Sequence, residues 1–171
     1  MQRQYPTARQ IIQLLQLEGH REGGYFRRTF QADQRQLLDT DQGERYLLSS
    51  IYYLLTEKSA VGHWHINKSD ILHYFHLGDP IEFSLIHPNG SLQQVVVGSD
   101  LIKGQQLQLL VMGGVWKTSR LLDGDYGYGL ISEAVSPGFD YADMTIADGD
   151  TLLDAFPQHR ELIKKFTRKS K

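Results

Sequence analysis

The chain has 171 residues, a net charge of −2 at neutral pH, 40% hydrophobic residues and no cysteine. This length predicts one domain spanning residues 1–171, and the composition is that of an ordinary globular protein. The balanced charge argues against nucleic-acid binding, and the lack of cysteine excludes disulfides and thiolate sites. No apolar run approaches the roughly 20 residues that cross a bilayer. We therefore expect a cytoplasmic protein with neither nucleic-acid nor membrane partners.

The chain starts with a predicted helix over residues 7–18, with Thr7 as its N-cap and Gly19 at its end. A double-glycine turn at Gly23-Gly24 follows, and strand patterning begins at Tyr25. Residues 33–45 are polar and predict a loop. Strand-like runs then recur over residues 46–56, 60–66, 71–76, 81–86, 93–97, 105–112, 116–122, 126–136 and 143–146.

The breaks between these runs carry glycine, proline and asparagine in turn-forming combinations. Many short strands at such spacing predict a β-sandwich or barrel, here with a core over about residues 23–147. The end of the chain, from about Thr151 to Lys169, predicts helical structure with a break near Pro157. No internal repeat or linker indicates a second domain.

The sequence Gly62-His63-Trp64-His65, followed by Asp70, is the most informative for chemistry. Alternate side chains of a strand share a face, so His63 and His65 are expected to point together. With Asp70 they predict one of two sites. The first is a divalent metal centre, for Zn, Fe, Mn or Ni, with two imidazoles and one carboxylate. The second is a metal-free site in which a histidine base is oriented by the carboxylate.

Several segments in the same order resemble the Cupin_5 (DUF985) branch of the cupin superfamily. They are Glu22-Gly23-Gly24-Tyr25-Phe26-Arg27, Ile51–Leu55, His63-x-His65 with Asp70 and Gly78, Gly114-Val115-Trp116, and Val135–Asp140. The resemblance implies a mainly β fold: a single cupin (double-stranded β-helix, or jelly-roll) barrel with an N-terminal helix and a C-terminal helical segment. It also implies a homodimer, since cupins pair through an edge strand.

The chain departs from the cupin pattern at the metal ligands. The second cupin motif ends in a metal-binding histidine, and the matching position here is Lys117. A lysine amine is protonated at neutral pH and is a poor ligand. In the first motif Asp70 stands where glutamate is usual. The cofactor therefore stays open between none and a divalent metal.

By similarity to metal-independent sugar-nucleotide epimerases, His63 or His65 is the expected base, oriented by Asp70. Tyr25 or Tyr74 would be the acid. Further candidate ligand-binding residues lie on the strands and turns predicted to surround the pocket: Glu22, Arg27, Tyr74, His76, Trp116, Lys117 and Phe139. Of the two histidines on the 71–76 strand, His76 is the one expected to face the interior.

Two classes of function follow from this pattern. The first is an epimerase- or isomerase-like enzyme acting on a small polar or sugar-like molecule. The second is a module that binds or senses such a molecule without chemistry, and a metal-dependent cupin enzyme with an incomplete ligand set is a further alternative. The partner in each case is a small-molecule ligand.

Overall fold

The computed structural model describes residues 5–168, which form three helices and thirteen strands. The helices are α1 (Ala8–Leu14), α2 (Gly149–Ala155) and α3 (Arg160–Phe166). The strands are β1 (Glu18–Gly19), β2 (Tyr25–Gln31), β3 (Leu38–Thr40), β4 (Gly43–Arg45), β5 (Ser49–Thr56), β6 (Val61–Asn67), β7 (Asp70–Gly78), β8 (Ile81–Ile86), β9 (Leu92–Val97), β10 (Gln108–Val111), β11 (Trp116–Leu121), β12 (Tyr128–Ser136) and β13 (Met144–Ile146).

Two antiparallel sheets face each other and form the barrel. The first has the strand order β1-β2-β5-β12-β7-β10, and the second has the order β13-β6-β11-β8-β9. The predicted mainly β architecture, with an N-terminal helix and a C-terminal helical segment, is confirmed. The segment predicted as a loop over residues 33–45 instead contains the short hairpin β3–β4.

One part of the barrel interior is apolar and holds the two sheets together. Its core combines side chains from β5, β10 and β12 with side chains from β8 and β9 of the facing sheet. Phe83 and Ile131 are typical members, at 2% and 0% exposure. Burial of such side chains stabilises the fold by about 1.5–3 kcal/mol each. The remaining part of the interior is polar and contains the candidate site.

The helix α1 begins where the sequence predicts and ends earlier. Thr7 caps it in a capping box with Gln10. The helix stops at Leu14 rather than at residue 18, and Gln16 takes a left-handed conformation with φ of 53°. Its apolar face, around Ile11, packs on the outer surface of the first sheet.

The C-terminal helices cover the outer surface of the second sheet. A 3₁₀ turn over Pro157–His159 separates α2 from α3, which matches the predicted break. Both helices pack around Trp64, which is fully buried. The predicted end of this segment, Lys169, lies outside the described residues. Within residues 5–168, no helix has the length and apolar character needed to cross a membrane. The single domain over 1–171, the homodimer and the cytoplasmic location stay predictions.

Candidate functional site

A β-bulge in β6 separates the two histidines of the His-x-His sequence. β6 pairs with β11 in a register that shifts between Lys117↔His65 and Ser119↔Gly62. The extra residue interrupts the alternation of faces. The His63 ring contacts the carbonyl oxygen of Phe166 in α3 with its Nδ1, at 3.0 Å, whereas His65 points into the barrel. The expectation that His63 and His65 share a face is therefore wrong.

Glu22 enters the barrel because of the glycine turn that follows it. Gly23 has a φ of +102°, a conformation that glycine adopts at little cost, and a Cβ there would lie 2.1 Å from the carbonyl oxygen of Val61. The Tyr53 hydroxyl donates a hydrogen bond to the carbonyl of Gly23 at 2.9 Å, and the His63 backbone N–H donates to the carbonyl of Glu22. These contacts hold the Glu22 carboxyl group inside the barrel at 8% exposure.

Glu22 and His65 form the first buried pair of the site. The His65 Nδ1 lies 2.8 Å from the carbonyl oxygen of His63, so Nδ1 carries the proton and donates it. In the neutral ring Nε2 is then a lone pair. This atom lies 3.2 Å from Oε2 of Glu22, yet no hydrogen bond of acceptable geometry reaches it from the described residues. The Nε2 lone pair is thus available to accept a proton.

The buried His73 and Lys117 form a second group with the half-buried Glu133, beside the first pair. The His73 Nδ1 contacts the carbonyl oxygen of Leu109 at 3.3 Å, which leaves Nε2 as an acceptor. Lys117 Nζ donates to that Nε2 at 3.1 Å, and Oε1 of Glu133 lies 3.4 Å from the same atom. In the described part of the chain Lys117 is the only buried lysine or arginine, at 3% exposure.

The two carboxyl groups have pKa values that are shifted in opposite directions. Burial raises the pKa of Glu22 to about 8, and the nearby charge of Glu133 adds to this effect against the opposing effect of Lys117. Burial alone would also raise the pKa of Glu133, but the nearby charge of Lys117 outweighs it and lowers that pKa. Glu22 is therefore largely protonated at neutral pH and Glu133 is ionised.

The buried histidines are held neutral. Burial, followed by the charge of Lys117, places the pKa of His65 well below its usual value. The same two causes lower the pKa of His73. His20, whose Nδ1 lies 3.6 Å from Oε2 of Glu22, also has a lowered pKa, mainly because of burial. The interior thus combines neutral imidazoles and a protonated acid with one ammonium, Lys117, and one carboxylate, Glu133, which both approach Nε2 of His73.

A small cavity reaches both carboxyl groups from the barrel mouth. Its volume is about 30 Å³, room for about two water molecules. It is lined by His20, Glu22, Phe26, Arg28, Ile51, Asn67, Ile71, Glu133, Val135, Phe139 and Tyr141. Asn67 is 7% exposed, and its buried Oδ1 has no hydrogen-bond partner among the described residues. A buried acceptor of this kind requires a donor from a bound molecule or water.

The structure brings four of the predicted site residues to this region: Glu22, His65, Lys117 and Phe139. It places the others elsewhere. Asp70 is exposed and accepts a hydrogen bond from the Gly113 N–H at 2.8 Å, so it does not orient His65. Trp116 packs among the C-terminal helices.

The remaining predicted residues lie on the outer face of the first sheet. Tyr25 packs with α1, and Arg27 donates a hydrogen bond to Gln16 at 3.0 Å. Tyr74 alternates with His73 and Phe75, which face inward. His76 contacts Tyr52 beside α1, so the expectation that it faces the interior is wrong. Their predicted roles in the pocket have no support from this geometry.

The residues present do not fit a cupin metal centre. Of the predicted metal ligands His63, His65 and Asp70, only His65 faces the interior. The position of the second-motif histidine holds the Lys117 ammonium, which already donates to the His73 lone pair. Within residues 5–168, no group of three or more histidine, cysteine, aspartate or glutamate side chains is arranged to hold an ion. A positively charged ammonium among these donors opposes the binding of a second cation.

The sequence analysis did not predict several polar residues of the site, among them His20, Arg28, Asn67, His73 and Glu133. For Glu133 the sequence held a usable signal, because it alternates with the buried Ile131 and Val135 and so lies on the inward face of its strand. Arg28 carried none, since Tyr25-Phe26-Arg27-Arg28 places one aromatic residue and one arginine on each face. Asn67 and His73 could be placed only after the bulge in β6 and the inward face of β7 were known.

Comparisons with known proteins agree with this fold. The model of the Cupin_5 family, described as Cupin superfamily (DUF985), matches residues 9–147. An uncharacterized protein of Saccharomyces cerevisiae is 37% identical over 156 residues, which cover 84% of this chain and 77% of that protein. A hypothetical protein from Leishmania major has a solved structure with a TM-score of 0.89 and 34% identity, covering 96% of this chain and 100% of that one.

Other solved structures extend the comparison. Protein SO0799 from Shewanella oneidensis has a TM-score of 0.86 and 33% identity, covering 97% of this chain and 100% of its own. Oxalate decarboxylase from Bacillus subtilis has a TM-score of 0.54 and 13% identity, covering 90% of this chain and 37% of its own. At that identity the likeness is one of fold alone. The predicted family resemblance and barrel fold are confirmed.

Proposed function

This chain belongs to the Cupin_5 family of the cupin superfamily, and on that premise we propose that it is an acid–base enzyme of the epimerase or isomerase type. Its substrate is a small polar, sugar-like molecule whose reacting end enters the barrel cavity. The observation that supports the proposal is the pair of inward-facing carboxyl groups, Glu22 and Glu133, which line one cavity and have pKa values shifted in opposite directions. Such a separation supplies an acid and a base at the same pH.

Glu133 is the group suited to remove a proton from carbon next to a carbonyl. It is ionised, it lines the cavity, and its negative charge is compensated by Lys117 through His73. Glu22 is suited to donate a proton to the oxygen or carbon that becomes negative, because it is protonated at neutral pH. The Nε2 lone pair of His65 lies 3.2 Å from Oε2 of Glu22 and faces the carboxyl group as an acceptor, while the ring itself stays neutral.

The polar lining favours a substrate with hydroxyl groups. Asn67 Oδ1 is an acceptor without a partner among the described residues, and the Glu133 carboxylate is a second acceptor in the same cavity. A hydroxyl group can donate to either of them. The apolar wall, formed by Phe26, Ile51 and Ile71, provides a surface for the carbon atoms of the substrate.

Deuterium exchange tests the proposal without knowledge of the physiological substrate. The protein is incubated in D₂O with small aldoses, ketoses and 2-oxo acids, and loss of the proton next to the carbonyl is followed by ¹H NMR. We expect exchange with at least one of these classes, slowed by about 10²–10⁴-fold in Glu22→Gln or Glu133→Gln.

Glu82→Gln is the matched control. Glu82 alternates with inward-facing residues on β8 and pairs with Arg120 at 2.7 Å, away from the cavity, so its loss should leave exchange unchanged. Circular dichroism and thermal unfolding establish that each variant is folded. Binding of these compounds without exchange would instead identify a non-catalytic binding module and contradict the enzymatic proposal.

A further inference from the structure

We propose that the polar, sugar-like reacting end of the substrate, which enters the cavity, is attached to a part outside it that carries one anionic group and a flat ring. Arg28 binds the anion, and Phe139 and Tyr141 contact the ring. This inference rests on the proposed function, since it names the substrate class of the same cavity.

The sizes of two neighbouring spaces indicate that the substrate extends beyond the cavity. The cavity of about 30 Å³ has room for only a few atoms of any substrate. Beside it lies a second space, here called the outer hollow, of about 330 Å³. It is lined by Arg28, Gln31, Leu37, Glu44, Arg45, Tyr46, Gly138, Phe139, Asp140 and Tyr141. Arg28, Phe139 and Tyr141 line both spaces and so form the boundary between them, here called the passage. The hollow has the volume of a site for a drug-sized molecule.

The positive charge at this passage indicates an anionic group on the ligand. Arginine stays protonated in proteins, so the guanidinium of Arg28 is a permanent cation there. Its Nη1 donates to the neutral Oε1 of Gln31 at 2.7 Å, and no carboxylate of the described residues lies within 4.0 Å. Arg45, in the same hollow, is already neutralised by two contacts with Asp143 at 2.7 and 3.0 Å. Arg28 is thus the arginine of the hollow that has its charge available for a bound anion.

The carboxylates of the hollow limit the ligand to one anionic group. Glu44 and Asp140 also line this space. One oxygen of Asp140 accepts the backbone N–H of Ala142 at 2.8 Å, which holds the carboxylate in its turn. A second anionic group farther out would approach these two negative charges and be repelled. The ligand's charge therefore belongs at Arg28, next to the cavity.

The aromatic residues of the passage indicate a flat ring on the ligand. The rings of Phe139 and Tyr141 meet edge to face, with centroids 5.0 Å apart. The Phe139 backbone N–H is fixed by the Ser49 hydroxyl at 2.9 Å, and the Tyr141 ring is covered on one side by the Arg21 guanidinium at 4.6 Å. Tyr46 adds a further aromatic surface to the hollow. Rigid aromatic surfaces of this kind favour a flat ring over a branched or flexible group.

Isothermal titration calorimetry with four probes tests the inference. Phenyl phosphate and benzoate each combine a ring with an anion, inorganic phosphate lacks the ring, and benzyl alcohol lacks the charge. We expect at least one ring-bearing anion to bind with a Kd of about 1 mM or below, and the other two probes at least about tenfold more weakly. The comparison of phenyl phosphate with benzoate distinguishes a phosphate from a carboxylate as the recognised anion.

Two neighbouring arginines supply the variant and its control. Arg28→Gln should weaken the ring-bearing anion at least about tenfold, the loss typical of a charged hydrogen bond. Arg27→Gln should change its Kd by less than about twofold, because Arg27 lies on the opposite face of β2 and bonds Gln16. Backbone amide shifts of Phe139 and Tyr141 on titration would locate the probe at the passage.

Three results would overturn the inference: equal effects of the two arginine variants, binding of benzyl alcohol as tightly as benzoate, or no binding of either ring-bearing anion at about 10 mM. The outcome is independent of catalysis. Anion binding that depends on Arg28, in a protein that shows no deuterium exchange, would retain this site and reject the acid–base reaction. Deuterium exchange in a protein that binds neither ring-bearing anion would retain the acid–base reaction and reject this site.

Discussion

Replacement of Lys117 by methionine should destabilise the protein strongly, because it removes the cation that compensates Glu133. Lys117 is 3% exposed and donates to His73, whose Nε2 lies 3.4 Å from the Glu133 carboxylate. Methionine keeps most of the aliphatic volume, so the change creates little cavity. Leaving an interior charge without the opposite charge that compensates it typically costs about 3–5 kcal/mol, and we expect a loss of that order in the free energy of unfolding at pH 7.

The double variant Lys117→Met/Glu133→Gln isolates the electrostatic part of that cost. The glutamine amide is neutral and needs no counter-charge. We therefore expect the double variant to be more stable than the sum of the two single effects, with a coupling free energy of at least about 2 kcal/mol. The assay is guanidinium-induced unfolding of the wild type, both single variants and the double variant.

Lys103→Met provides the matched control for Lys117→Met. The Lys103 side chain is 78% exposed and pairs with Asp100 on the surface. Its loss should have almost no effect on the free energy of unfolding, as for most exposed ion pairs. The reasoning would be refuted if Lys117→Met also lowered the free energy of unfolding by less than about 1 kcal/mol. It would also be refuted if the effects of Lys117→Met and Glu133→Gln on that free energy were additive in the double variant.

Two further predictions concern the turn and the buried acid. Gly23→Ala should lower the free energy of unfolding by about 3 kcal/mol or more, because a Cβ would collide with the Val61 carbonyl oxygen. Gly104→Ala is the control and should lower it by only about 1 kcal/mol. Gly104 also has a positive φ, but no atom of the described residues lies within 4 Å of the position of its Cβ. Thermal and denaturant unfolding measure both, and equal losses would contradict the role of the clash. The raised pKa of Glu22, about 8 against 4.5 for the usual group, means that the native state binds the extra proton, so its contribution to stability falls as pH rises between those values. The range from pH 7 to 8 lies above the lowered histidine pKa values. Over this range the free energy of unfolding of the wild type should fall by about 1 kcal/mol more than that of Glu22→Gln. Parallel pH profiles of the two proteins would contradict this prediction.

The barrel itself was readable from the sequence. Short apolar runs separated by glycine, proline and asparagine predicted strands close to those observed, as in 81–86 and 93–97 against Ile81–Ile86 and Leu92–Val97. The N-cap at Thr7 and the break at Pro157 were also found in the structure. These features depend on local chemistry, namely hydrogen bonding by capping side chains and the missing N–H of proline, so they need no knowledge of distant contacts.

The candidate site was only partly predictable, because its composition depends on which face each side chain occupies. A one-residue bulge in β6 turns His63 to the outer face of the sheet, and no residue type near it in the sequence indicates that bulge. On β2 and β7 the two faces have similar residues, so Arg27 and His76 were favoured where the structure uses Arg28 and His73. A period-two argument assigns relative faces within a regular strand and loses that information at each irregularity.

The same bulge accounts for the acid in the cavity. Because His63 is turned toward α3, the interior lacks the second histidine that was predicted to bind a divalent ion. The position of β11 that pairs with His65 holds Lys117 instead. A single ammonium carries one positive charge, so it compensates one ionised carboxylate, which is Glu133. Among the described residues Glu22 is then left without a cation of its own, and a carboxyl group buried in that position stays protonated. The replacement of a metal ligand by lysine and the presence of a proton donor beside the substrate cavity thus have a common electrostatic cause.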